Sequence, residues 1–346
     1  MQSKTKKFIL ELSRRAYFKS LIAAIFIVLG IAWKSGIIFA AAPLIFITKN
    51  RTIALIALIS FLTGSFALKF HTREKFEAKS IEGLICQKNE NQLKKFPFSY
   101  KVQSQNKNLL IYSKKSIGNV GDKIQLSNCT ITKPKCKEFE KYLQKEKVDG
   151  TIFIGNRRLK ISRGNTLSIN KSTHDTKNRV VERIGKKLDP ETCSLFSSIF
   201  LGEKSRCNKE YNEFRNEFKK WGLSHLLARS GLHLIIFLLS ITILLTLVQV
   251  PIYLQTIIQS IALLIYYFLS WPSTSFRRAA LFFAFWQICH FFELQKNYLH
   301  ILNLTCILSL LINPYLLFFL DFQLSFGLTY ALALLVESNY LFKSNC

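Results

Sequence analysis

The sequence predicts a polytopic α-helical membrane protein into which a small, OB-like β-barrel is inserted as an extracytoplasmic domain. Long apolar runs lie on both sides of a polar middle section. Within that section, short segments alternate apolar and polar residues, as half-buried strands do. The chain is also 49% hydrophobic, and its 48 Lys and Arg exceed its 21 Asp and Glu by 27. A soluble protein of this charge would be classed as a nucleic-acid binder, but the apolar runs exclude a soluble class.

Residues 1–68 are predicted to form the N-terminal membrane helices. Three apolar runs follow a basic N-terminus: Leu21–Trp33, Gly36–Thr48 and Thr52–Leu68. The first run resembles a signal peptide, but the second and third follow directly, which favours retained helices. The positive-inside rule places the basic N-terminus in the cytoplasm and, after three crossings, residue 69 outside. If the second run is only re-entrant, the side is reversed.

Residues 69–170 are predicted to form the basic OB-like domain. Residues 69–189 hold 28 Lys and Arg against 12 Asp and Glu. The predicted strands are Ile81–Gln87, Phe98–Ser104, Leu109–Ser113, Asp122–Ile131, Gly150–Gly155 and Leu159–Ser162. A helix over Cys136–Lys147 precedes the last strands, with Phe139, Tyr142 and Leu143 on one face. Barrels of this type often bind oligonucleotides through a basic, aromatic face; a rigid cap with solvated lysines is the alternative.

The rest of the chain is predicted to be helical. Residues 171–220 form amphipathic connecting helices, with Val180, Val181, Ile184 and Leu188 facing one way. Residues 221–346 form a transmembrane helical domain. Its apolar runs are Leu232–Val248, Ile252–Ser270, Ala279–Phe292, Leu299–Ile312 and Phe322–Val336.

The first candidate site is the segment Trp221–Leu234, where ionisable residues enter an apolar run. Such groups are costly in a membrane and often mark function. In a helix, His225, Arg229 and His233 form one stripe that could donate to phosphate oxygens. Ser230 and Gly231 could instead break the helix and line a cavity. Alternatively, the basic residues anchor a helix end at the lipid headgroups.

Two further polar segments interrupt the apolar runs. In Trp271–Arg278, the cations Arg277 and Arg278 stand at a helix start, where the helix dipole disfavours them. This indicates an anionic partner, although a cytoplasmic basic pair explains it as well. In Asn313–Phe326, the polar residues are Asp321, Gln323 and Ser325. With Gln255 and Gln259, they predict a hydrated interior between the helices.

The eight cysteines predict no metal site and no cofactor. They stand at 86, 129, 136, 193, 207, 289, 306 and 346, without zinc-like spacing. If the basic domain is extracytoplasmic, Cys129–Cys136 or Cys86–Cys129 could form a disulfide. Three reduced cysteines are the alternative.

Together these segments resemble the ComEC family, the membrane channel proteins of bacterial DNA uptake. His225–His233 reads H-L-L-A-R-S-G-L-H, close to the family's hallmark. Further similar segments, in the same order, are Gly121–Leu126, Phe139–Leu143, Gly150–Thr151, Leu201–Ser205, Pro272–Ala279, Asn313–Pro314 and Phe322–Phe326.

The resemblance implies passage of single-stranded DNA across the bacterial inner membrane by a multi-pass protein. The implied DNA-path or gating residues are His225, Arg229, Ser230, Gly231, His233, Arg277, Arg278 and Gln323. The implied partners are single-stranded DNA, the lipid bilayer and the uptake machinery, with its receptor and cytoplasmic translocase. Family members usually continue through further helices, and many carry a nuclease domain. The chain is therefore expected to be truncated, split from a second-half polypeptide or completed by homo-oligomerisation, and not to be an enzyme.

Two alternatives from other classes stay open. One is an intramembrane serine hydrolase that uses Ser230 as nucleophile, for which the sequence offers no clear set of base and oxyanion donors. The other is a membrane-anchored binding protein without transport, whose basic domain holds acidic partners.

Overall fold

The computed structural model describes most of the chain, with gaps. The described residues are 19–32, 56, 59–67, 80–90, 96–104, 107–127, 136–154, 159–162, 169–201, 216–222, 231–270, 273–294 and 296–343. The predicted membrane run at 36–48 lies outside these residues. The chain divides into two compact units. One contains residues 1–72, 234–263 and 274–346, and the other contains residues 73–233 and 264–273.

The insert is built around one curled six-stranded sheet. The strands are β1 (Ser80–Glu90), β2 (Phe98–Ser104), β3 (Lys107–Ser113), β4 (Lys123–Ser127), β5 (Gly150–Ile154) and β6 (Leu159–Ser162), in the order β5-β3-β2-β1-β4-β6. All pairs are antiparallel except β3 and β5. A strand is found at each of the six predicted positions, although residues 128–131 of the predicted Asp122–Ile131 lie outside the described residues. The connectivity is OB-like, since β1 pairs with both β2 and β4. Closure into a barrel stays a prediction, because β5 and β6 are the two sheet edges.

Strand β1 serves two neighbours because it bends. It pairs with β4 through residues 80–84 and with β2 through residues 84–90, and its register shifts between Ile85 and Gln87. Such a bulge increases strand twist and lets a sheet curl. Gly83 assists at the crossing, since a Cβ there would lie 2.7 Å from the carbonyl oxygen of Gln103.

Alternating residues fill the inside of the curled sheet. Tyr100 and Val102 on β2 and Ile124 and Leu126 on β4 are buried, as their spacing predicts. They belong to a core of twelve buried residues. Helix α3 (Lys137–Lys145), within the predicted Cys136–Lys147, precedes β5. The insert therefore has a core of its own.

A helical segment connects the insert to the second helical section. Helix α4 (Ile169–Gly185) buries Val181 and leaves Arg179 and Arg183 exposed, which confirms its amphipathic pattern. Leu188, predicted on the same face, lies beyond the helix end and is exposed. Helix α5 (Pro190–Phe196) then runs into a π-helical turn, Ser197–Leu201.

The other unit is helical. Its N-terminal helices are α1 (Lys19–Ala32) and α2 (residues 59–67). A further short helix, α6 (residues 216–220), belongs to the insert's unit. The later helices are α7 (Gly231–Leu247), α8 (Ile252–Leu269), α9 (Thr274–Phe291), α10 (Tyr298–Ile312) and α11 (Leu320–Lys343). One buried cluster joins α1, α10, the 3-10 turn Pro314–Phe318 and α11.

The helical unit leaves apolar surface exposed. Leu239 and Leu244 on α7, Ile261 on α8 and Leu328 on α11 are each more than half exposed. Large apolar side chains exposed on several helices are typical of a surface that contacts a membrane or another protein. Among the described residues, Ile252–Leu269 is the one helix long and apolar enough to cross a membrane, and four shorter apolar helices accompany it. One candidate span supports membrane association; the multi-pass arrangement stays a prediction.

Candidate functional site

Two of the polar segments singled out in the sequence meet between α9 and α11. Thr274 donates to the Asp321 carboxylate over 2.6 Å, and the Ser275 and Ser325 hydroxyls lie 3.2 Å apart. One turn further along, Arg278 donates through Nη1 to the Thr329 hydroxyl. We call these six side chains the polar seam. On α11 they stand at i, i+4 and i+8, which is one face of a helix.

Arg278 is the cation of the polar seam. Its guanidinium lies over the Phe326 ring, 5.6 Å from the centroid, in a cation–π arrangement. Its Nε is buried without a hydrogen-bond partner in the described part of the chain. An arginine offers five donors, so donor capacity for an anion remains at this position. Arg277, the other predicted cation, is exposed and stands outside the seam.

The other polar residues of the third segment support its fold. Asn313 begins the 3-10 turn and accepts a hydrogen bond from the Tyr315 backbone. Gln323 is exposed, but its amide donates to the Leu317 carbonyl over 2.8 Å. The interaction that involves Gln323 therefore stabilises the turn before α11, and its predicted role in a DNA path is untested.

The hallmark segment is only partly described. His225, Arg229 and Ser230 lie outside the described residues, so the predicted stripe is untested. Gly231 is buried at the first position of α7. His233 follows on the same helix, half-buried, with its ring 5.7 Å from Phe200 in an edge-to-face contact. The described end of the segment thus packs against the π-helical turn.

A second polar chain crosses three helices. Gln287 on α9 donates to Gln259 on α8, and Gln259 donates to Thr242 on α7 over 2.9 Å. Gln259 was predicted as a polar position, whereas its predicted companion Gln255 donates to the carbonyl of Val250, two residues before its own helix begins. Side-chain hydrogen bonds of this kind hold helices together in apolar surroundings.

A third polar cluster was not predicted. Ser20 on α1 lies 2.9 Å from the His300 ring and accepts a hydrogen bond from Asn303, both on α10. Tyr330 on α11 donates to the same Asn303 over 2.8 Å. Asn303 is fully buried in a largely apolar helix. The amide inside the predicted apolar run Leu299–Ile312 was the available signal, as was the amide of Gln287 in α9.

The structure describes part of the chain's cysteines and possible metal ligands. Cys136 is exposed beside the N-terminus of α3, and Cys129 lies outside the described residues. Their pairing stays a prediction. Within the described ranges, no three His, Cys, Asp or Glu side chains come together as metal ligands could.

Comparison with known proteins identifies the helical section. Residues 199–344 match the family model described as Competence protein. This range contains the polar seam and the hydrogen-bonded side chains of Thr242, Gln259 and Gln287. The match bears out the resemblance to the ComEC family over this section: residues 199–344 are similar to its competence domain, which supports a role in competence and DNA uptake. No curated protein and no solved structure matches the chain.

Proposed function

We propose that the chain is a component of a membrane channel that admits single-stranded DNA during natural transformation. The observation that carries the proposal is the polar seam inside the competence domain. It brings a cation and several hydroxyls from two helices together among apolar helices. Such groups are costly in a membrane and are retained where they serve a path or a partner.

The chemistry of the seam suits a polyanion. A phosphate that passes needs cationic donors, and Arg278 is a strong one, because its guanidinium donates in a planar fork. Its present partners, a hydroxyl and an aromatic ring, are neutral. Because neither of these partners is charged, a phosphate oxygen could bind Arg278 without first breaking an ion pair with either of them. We also propose DNA-path or gating roles for the other candidates, which are His225, Arg229, Ser230, Gly231, His233, Arg277 and Gln323.

Location and partners follow from this proposal. The protein is a multi-pass protein of the bacterial inner membrane, and the basic insert is extracytoplasmic, where incoming DNA arrives. The uptake receptor and the cytoplasmic translocase act with it, as does a second copy or a further polypeptide. One candidate span and the basic surplus of the insert support this placement.

Transformation of the native host tests the proposal. Deletion of the gene is expected to abolish uptake of labelled DNA, and the wild-type gene to restore it. Arg278→Ala is expected to fail in restoring uptake, while Arg278→Lys restores it in part, because charge is kept and the planar fork is lost. Gln255→Ala is the matched control, since that side chain faces its own helix. Membrane levels are compared by immunoblot, and undiminished uptake in the deletion strain would refute the proposal.

We further propose that the chain does no covalent chemistry. The hydrolase alternative requires the Ser230 hydroxyl as nucleophile. Ser230→Ala removes one hydroxyl from the proposed path and is expected to lower DNA uptake at most in part, whereas loss of a nucleophile would abolish it. Complete loss of uptake with Ser230→Ala, at normal protein level, would favour the hydrolase.

A further inference from the structure

Aromatic rings gather at one edge of the insert's sheet. Tyr112 on β3 and Phe153 on the neighbouring edge strand β5 stack with centroids 5.1 Å apart and planes 14° apart. Phe96, just before β2, lies 5.4 Å from the Phe153 ring on another side. On α3, Tyr142 stacks with Phe139 at 6.2 Å. We call these five rings the aromatic patch.

The patch lies outside the core of the sheet. Tyr112 and Phe153 alternate with the buried residues Ile111, Ile152 and Ile154, so their side chains point to the other face. Phe153 is 42% exposed and Tyr142 is 43% exposed. Lys101 on β2 donates to the Glu146 carbonyl over 2.8 Å, which holds the end of α3 beside the sheet. Burial, with Glu146 and Tyr112 nearby, raises the pKa of Tyr142. Phe153, which is part of the stack with Tyr112, and Tyr142 thus each leave part of the ring exposed to water.

Basic residues border the patch. Lys114 and Lys115 follow β3 directly, two and three residues after Tyr112, and both are exposed. Lys141 is exposed beside Tyr142 on α3. On α3, the exposed Glu138 and Glu140 flank Phe139, so the lysines without adjacent carboxylates are those that follow β3. Over residues 80–162, 17 Lys and Arg stand against 7 Asp and Glu.

We propose that the aromatic patch stacks the bases of single-stranded DNA while the bordering lysines hold its phosphates. The inference rests on the proposed function and names the surface that first holds the strand. Stacking needs unpaired bases, because in a duplex their faces are covered. Every base has such a face, so the surface would accept any sequence. The carboxylates of an acidic protein could pair with the lysines, but they would not stack on the exposed rings.

The experiment separates stacking from charge. The full chain in nanodiscs is titrated with a fluorescent thymidine oligomer and with an abasic oligomer of equal length and equal phosphate charge. The thymidine oligomer is expected to bind more tightly, by roughly fivefold or more. Phe153→Ala is expected to remove most of this difference and to leave abasic binding unchanged. Phe153→Trp keeps a stacking ring and is expected to retain the preference.

An exposed ring elsewhere in the chain serves as the control, and anionic vesicles test whether the patch binds lipid instead. Phe292, 66% exposed at the end of α9, is an exposed ring elsewhere, and Phe292→Ala is expected to leave both affinities unchanged. Equal binding of the two oligomers by the wild type would overturn the proposal. So would a Phe153→Ala variant that binds both oligomers normally but loses binding to anionic vesicles, since the patch would then contact lipid.

Failure of this inference is distinguishable from failure of the channel proposal. If deletion abolishes transformation but the two oligomers bind equally, the channel role stands and the patch does not stack bases. If base preference depends on Phe153 but deletion leaves DNA uptake intact, the patch binds DNA and the channel role fails.

Discussion

At the scale of the residue, the polar seam combines two kinds of interaction. Arg278 contributes charge, while the Thr274–Asp321 hydrogen bond of 2.6 Å holds the starts of α9 and α11 together. A carboxylate is a poor neighbour for a passing phosphate because like charges repel. We therefore infer that Asp321 is present as a hydrogen-bond acceptor and not for its charge.

This inference predicts opposite outcomes for two substitutions. Asp321→Asn keeps an acceptor oxygen for Thr274, and we expect it to retain or increase DNA uptake. Asp321→Ala removes the acceptor, and we expect a lower melting temperature, equivalent to about 1 kcal/mol, together with reduced uptake. Uptake in the complemented deletion strain and melting of the purified protein measure both. Equal loss with the two variants would show that the negative charge itself is needed.

At the scale of the element, sequence patterns predicted what lies within one strand or helix. Strand β2, Phe98–Ser104, was predicted with the observed bounds because its apolar side chains repeat every second residue. Helix α9 begins at Thr274, five residues before the predicted apolar run, because its first turn is polar. The spacing of apolar residues indicates which face of a strand or helix is buried. It does not indicate which other element packs against that face.

The pairing of elements was not predictable in the same way. The seam joins residues that are 47 to 51 positions apart in the sequence, and neither segment specifies the other. Arg278 and Asp321 were singled out as isolated anomalies in apolar runs, whereas Thr329 was missed since threonine is common in helices of this kind. The resemblance to a family suggested a role in DNA uptake. Only the packing of the helices showed that Arg278 lies in the polar seam and that Arg277 does not.

Helices α1 and α2 provide a prediction at this scale. They cross at Gly30 and Gly64: a Cβ on Gly64 would lie 2.4 Å from the Ile27 carbonyl oxygen, and one on Gly30 would lie 2.2 Å from that of Phe61. Small residues let membrane helices approach this closely. We expect Gly64→Ala to destabilise the helical unit by about 1–3 kcal/mol, because backbone must move.

A glycine in open space supplies the control for this substitution. Among the described residues, no atom beyond its own helix backbone and chain neighbours lies within 4 Å of a Cβ added to Gly327 on α11. There, Gly327→Ala is expected to be neutral or to stabilise by up to about 1 kcal/mol through helix propensity. Thermal unfolding of the detergent-solubilised protein measures both variants. Equal stability of the two would mean that α1 and α2 do not depend on this close contact.

At the scale of the whole molecule, a basic sheet domain and an apolar helical unit with polar contacts form one chain. Each part alone has a simpler explanation: a solvated cap for the first, ordinary helix contacts for the second. The competence match over residues 199–344 supports a role in competence and DNA uptake for the helical part, and we propose that the basic domain shares this role. The binding-protein alternative also predicts a basic surface, so charge alone does not separate them.

Salt dependence separates a DNA-handling protein from a general binder of acidic polymers. The full chain in nanodiscs is titrated with single-stranded DNA and with polyglutamate of equal charge at increasing salt. Counterion release predicts that the logarithm of the affinity for DNA falls with the logarithm of salt, with a slope of about −0.7 for each phosphate neutralised. If base stacking adds to charge, DNA binding will persist at salt concentrations that abolish polyglutamate binding, because stacking releases no counterions. Parallel loss of both polymers with rising salt would instead favour a membrane-anchored protein that holds acidic partners through lysine charge alone.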